Sequence, residues 1–120
     1  MLELGYVDEP TKRAVYAGAL ALVNPSEMES LSLVLMEAWL EGTPALVAAG
    51  SEVMADHVRR SGGGIAFGDY EGFRAGVAGL LDDPGARAEM GARGRSYVLE
   101  EYGWPAVWER LATVAGRLAA

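Results

Sequence analysis

The stretch PSEMESLSLVLMEAWLEGTPALV, Pro25 to Val47, decides the fold. It opens on a polar segment, passes into an apolar-rich run over Leu33–Glu41, and stops at Gly42 and Pro44. Gly and Pro at such a boundary end a helix. Upstream, ALALVNP (Ala19–Pro25) reads as a buried strand ending in a turn. Downstream, TPALVAAG (Thr43–Gly50) reads as a second strand. Neither alternates cleanly between polar and apolar positions, which is how strands covered on both faces look. Strand, helix and parallel strand form one crossover unit, right-handed by the general rule.

The same rhythm extends outward. GGIAFGD (Gly63–Asp69) reads as a third strand and LGYV (Leu4–Val7) as a short leading one. Helices are expected over Glu9–Gly18, Glu52–Ser61, Tyr70–Leu81, Pro84–Glu101 and Pro105–Leu118. Pro10 suits a first helical turn. Asp69 is placed to cap the helix behind it, and Asp82-Asp83-Pro84 reads as a turn and helix start, with no need of a metal. The order β-α-β-α-β-α-β-α-α-α predicts an α/β fold in which helices flank a parallel sheet. The run Gly62–Gly64 follows a helix and precedes a strand, the wrong order for a phosphate cradle.

Two carboxylates stand out. Residues 33, 36, 37 and 40 share one helical face, and Glu37 sits there among Leu33, Met36 and Leu40. A buried carboxylate without a partner costs several kcal/mol. Glu37 must therefore reach a partner, water, or a ligand rich in hydroxyl donors, such as a ribose. Glu29 lies eight residues earlier, in the loop at the carboxyl end of a strand, where open α/β sheets bind ligands. Between them the helix begins near Ser32 or Leu33, and its free N–H groups suit a phosphate oxygen. The plainer alternative makes Ser30 or Ser32 a helix cap and leaves both glutamates solvated.

Composition narrows the function further. The chain of 120 residues suits one domain, half of it hydrophobic. It has no cysteine, which excludes disulfides and thiolate metal sites and suits a reducing, cytoplasmic setting. The net charge is −7, with one lysine and scattered arginines, so nucleic acid is not an expected partner. No apolar run approaches the roughly 20 residues of a membrane span, and the first residues do not resemble a signal peptide. Trp39, Trp104 and Trp108 are expected in packing rather than as sugar platforms. His57 is expected to be solvated or capped.

The Pro25–Val47 stretch resembles the donor-binding signature of the retaining glycosyltransferases with two Rossmann-like domains, the GT-B fold of family 4, or group 1. Their pattern, roughly P-S-x-x-E-G-F-G-L-x-x-x-E-A, stands here as Pro25, Ser26, Glu29, Ser30, Leu31, Ser32, Leu33, Glu37 and Ala38, followed by Gly42, Pro44 and Val47. The flanks LGYVDEPTKRAVYAGALALVNPS and GGGIAFGDYEGFRAGVAGLLDDPGARAEMGARGRSYVLEEYGWPAVWERL also resemble the family. The resemblance implies that residues 1–120 are part of a nucleotide-sugar-binding, three-layer Rossmann-like domain, the later portion of a GT-B C-terminal domain.

It further implies that Glu29 contacts the transferred sugar at the catalytic centre. Amides around Leu31, Ser32 and Leu33 would hold the distal phosphate, and Glu37 would accept from the ribose hydroxyls. The donor would be a nucleotide-diphosphate sugar, transferred to an acceptor hydroxyl with retention, and neither metal nor cofactor is implied. Two features depart from the pattern. Serines stand at 30 and 32 where the family has glycines, and the Gly-Gly element expected near Ser51 is absent. The N-terminal acceptor domain and the first strands of the donor domain are also missing. The isolated chain is therefore expected to be inactive, and the full protein to be cytoplasmic or peripheral to a membrane. An edge strand at Ala19–Val23 and an apolar face on the final helix would favour self-association. The alternative is a non-catalytic binding or interaction module derived from such an enzyme. A dinucleotide-type domain is disfavoured, because no G-x-G-x-x-G follows a first strand.

Overall fold

The computed structural model describes residues 5, 7–27 and 33–103. Within them run α1 (Glu9–Gly18), β1 (Leu22–Asn24), α2 (Leu33–Leu40), β2 (Ala45–Ala48), α3 (Glu52–Ser61), β3 (Gly64–Phe67), α4 (Tyr70–Asp82) and α5 (Pro84–Tyr102). The helix expected at Pro105–Leu118 lies outside the described residues. So do Leu4 and Tyr6 of the expected leading strand, and Gly5 and Val7 belong to no strand.

Local chemistry sets the helix ends. The Asp8 carboxylate accepts from the Thr11 amide at 2.9 Å, and Pro10 lies in the first turn of α1. Asp69 caps α4 by accepting from the Gly72 amide at 2.7 Å, and Asp83 caps α5 through the Ala86 amide at 2.9 Å. α3 ends where Gly62 turns left-handed with φ +70°. A glycine takes that conformation without the Cβ clash that any other residue would meet.

The three strands form a parallel sheet in the order β1-β2-β3. Leu22 pairs with Ala45 and Asn24 with Val47, and β2 in turn sets Ala45 against Gly64 and Ala48 against Phe67. All four residues of β2 are buried, as the unbroken apolar run predicts. β1 and β3 are only partly covered, so the expectation of strands buried on both faces holds for the middle strand alone. Among the described residues β1 lies at the sheet edge, but it is three residues long, shorter than the Ala19–Pro25 run suggested.

Alternation along β2 sends its side chains to opposite layers. Ala45 and Val47 join Leu35, Met36, Trp39, Met54, Val58, Tyr97 and Val98 in one core, built by α2, α3 and α5. Leu46 points the other way, towards α4, where a Cβ on Gly76 would lie 3.0 Å from its Cδ2. The sheet is thus the middle of three layers, an α/β Rossmann-like arrangement.

Trp39 anchors the first core. It is fully buried, and its indole Nε1 donates to the Gly63 carbonyl at 2.9 Å. Its ring meets Tyr97 edge-on, with centroids 5.8 Å apart. α5 approaches this point through glycines: a Cβ on Gly94 would overlap the Trp39 indole, and one on Gly91 would overlap the Gly42 carbonyl. Trp39 is therefore a packing residue, as expected, whereas Trp104 and Trp108 lie outside the described residues. His57 corrects its expectation. It is buried, and its Nδ1 lies 2.7 Å from the Tyr97 hydroxyl. The α5 aromatics cover it, a long-range effect that its own helix does not announce.

Candidate functional site

The carboxyl end of β1 turns at Asn24, whose Oδ1 accepts from the Ser26 amide at 3.1 Å. This Asx turn carries the chain away from the sheet. Glu27 follows, and its side chain lies against Gly50 in the loop after β2, where a Cβ would come within 2.7 Å of Oε1. Two strand ends thus share one rim with a carboxylate on it. Glu27 was not singled out by the sequence reading, which counted glutamates by their spacing and had no means of seeing the neighbouring loop. Glu29, Leu31 and Ser32 lie outside the described residues. Leu33 opens α2 and is 65% exposed.

The face of α2 differs from the one expected. Its buried residues are Leu35, Met36, Ala38 and Trp39, while Leu33 and Leu40 are exposed. Glu37 therefore does not interrupt the core stripe; it borders it on the side that faces α1. The reason is that α2 is apolar nearly all round, so helical periodicity alone could not choose which side α5 would cover.

Glu37 does find partners, as its chemistry requires. Its Oε2 lies 3.2 Å from the Lys12 ammonium, which also meets Glu9 Oε1 at 2.8 Å. The hydrogen bonds to Glu9 and then Glu37 raise the Lys12 pKa above its ordinary value. Burial, followed by the Glu37 charge and a hydrogen bond to it, also raises that of the Tyr16 phenol. These groups line a cavity of about 140 Å³ between α1 and α2, together with Arg13, Leu40 and Glu41.

A larger open groove of about 600 Å³ runs along α3, lined by Ala49, Glu52, Val53, Ala55, Asp56, His57 and Arg59. Of the described candidate residues, neither Leu33 nor Glu37 lies in it. Burial is the main reason that the His57 pKa is lowered.

A family profile described as "Glycosyl transferases group 1" matches residues 3–97. The chain is 31% identical over 88 residues to a GDP-mannose-dependent monoacylated alpha-(1-6)-phosphatidylinositol monomannoside mannosyltransferase of Corynebacterium glutamicum. That alignment covers 73% of this chain and 23% of the relative. It is 35% identical over 112 residues to a D-inositol 3-phosphate glycosyltransferase 2 of Catenulispora acidiphila, covering 92% of this chain and 26% of the relative. The chain spans about a quarter of the length of these two relatives. No solved structure matches the chain. Among the described residues, no helix is long and apolar enough to cross a membrane.

Proposed function

The chain belongs to the group 1 glycosyltransferases, and we propose that it carries the nucleotide-sugar side of a retaining transfer to an acceptor hydroxyl. In this reading Glu37 accepts hydrogen bonds from the ribose hydroxyls of the donor. Glu29 contacts the transferred sugar, and amides at Leu31, Ser32 and Leu33 hold the distal phosphate. The helix start supplies donors to the leaving diphosphate, an electrostatic role that needs no metal. The observation that carries the reading is the setting of Glu37. It is a partly exposed carboxylate on the helix that follows β1, held by a cation from the neighbouring helix.

The isolated chain is not a competent transferase in this account. That reading rests on the chain spanning about a quarter of the length of its two relatives. A nucleotide-sugar donor favours a cytoplasmic setting. The relative that acts on a phosphatidylinositol monomannoside favours contact of the whole enzyme with a membrane surface. The second reading, a non-catalytic binding module, draws on Ser30 and Ser32 standing where the family has glycines. Titration calorimetry with GDP-mannose and UDP-glucose separates the two. Binding of one donor, weakened about tenfold or more by Glu37→Ala through loss of a charged hydrogen-bond acceptor, supports the donor site. Unchanged affinity in Glu37→Ala refutes the role of Glu37, and no binding of either donor favours the module.

A further inference from the structure

Lys12 and Tyr16 stand one helical turn apart, and Glu9 stands three residues before Lys12, so all three share one face of α1. That face meets Glu37. Lys12 bridges Glu9 and Glu37 at 2.8 and 3.2 Å, and Tyr16 lines the same cavity. The placement of α1 is fixed from its other end. The buried Thr43 hydroxyl donates to the Tyr16 carbonyl, tying the last turn of α1 to the segment before β2. The Lys12 ammonium is thus delivered by an anchored helix.

We infer that Lys12 is a positioning residue for ribose recognition: its ammonium anchors Oε2 of Glu37 and orients the remaining acceptor capacity of that carboxylate towards two neighbouring hydroxyls. This rests on the ribose role of Glu37 proposed above. A carboxylate offers about four acceptor positions. Lys12 uses one of them, and a ribose diol needs two of the rest. Lys12 itself does not touch the donor. A carboxylate acceptor makes a stronger hydrogen bond than a neutral one. Both side chains are about a third exposed, at 31% and 37%. Such a pair contributes little to folding, so its loss should register in recognition rather than in stability.

The test uses the chain as it stands, titrated by NMR with GDP and UDP and with the 2′-deoxy form of each. The unaltered chain is expected to prefer the ribonucleotide. Lys12→Met should lower that ribo-to-deoxy preference by about fivefold, the scale of one charged hydrogen bond set askew. The melting temperature should stay nearly unchanged. Lys12→Arg keeps the cation and should restore most of the preference, which a general loss of structure would not do. A Lys12→Met chain with undiminished preference overturns the inference while leaving the ribose role of Glu37 intact. Failure of Lys12→Arg to restore a lost preference overturns it as well. An unaltered chain that binds both sugar forms equally, or neither, refutes the reading of Glu37 and this inference with it.

Discussion

Gly94→Ala places a methyl group where the Trp39 indole already lies. Trp39 cannot give way cheaply. It is fully buried, donates to the Gly63 carbonyl at 2.9 Å and stacks edge-on with Tyr97. Overpacking a close-packed core costs about 1–3 kcal/mol. If the indole moves, the buried Gly63 carbonyl loses its donor at a further cost of about 1–3 kcal/mol. Better helix propensity returns about 1 kcal/mol. The net expectation is a loss of about 3 kcal/mol, or about 10 °C or more in melting temperature for a chain of this size. Gly79→Ala is the control: its Cβ would meet nothing within 4 Å, in the exposed interior of α4. It should stabilise by about 0.5–1 kcal/mol. Thermal and urea unfolding, followed by Trp fluorescence, read both. A Gly94→Ala chain as stable as the parent, or two variants shifting in the same direction, would refute the account of how α5 meets α2.

Other outcomes follow from the same core and edge. Burial lowers the His57 pKa in the folded chain, so the unfolded chain binds more protons just below pH of about 6.5. Stability from neutral His57 is complete above that pH and is lost as pH falls through it. Urea midpoints from about pH 7.5 to about pH 5.5 should therefore decline, and His57→Phe should flatten the slope. Tyr97→Phe strands the buried Nδ1 of His57, at about 1–3 kcal/mol, readable in the same unfolding curves. The Tyr97 phenol, pushed up to about 12 chiefly by burial, should not ionise in a spectrophotometric titration until well above the ordinary tyrosine range. The β1 edge, with Val23 exposed, is expected to support concentration-dependent association. Val23→Lys should weaken it in sedimentation runs, and a strictly monomeric profile at high concentration would count against it.

Much of the fold was legible from punctuation. Asp69 and Asp83 act through side chains that cap amides three residues on, and Pro10, Pro84 and Gly62 through their own backbone, and the helices they bound lie where expected. What could not be read was the choice among equivalent apolar faces. α2 offers Leu33, Val34, Leu35, Met36, Trp39 and Leu40 around nearly its whole circumference. The buried side was settled by glycines more than fifty residues away, Gly91 and Gly94, which let α5 close on Trp39. His57 was misjudged for the same reason, since its cover comes from Tyr97 and Tyr102. Of the candidate site, the need of Glu37 for a partner was legible from the cost of an isolated carboxylate. The identity of that partner was not, because Lys12 reaches it across the α1–α2 interface rather than along one helix.

The central claim is that donor recognition runs through α2 and Glu37. The most direct measurement is a map of backbone amide shifts in the labelled chain on addition of GDP-mannose. The account predicts shifts concentrated on Leu33–Glu37 and on Lys12 and Tyr16 of α1. Shifts confined to the α3 groove around Glu52–Arg59, with α2 silent, would contradict it.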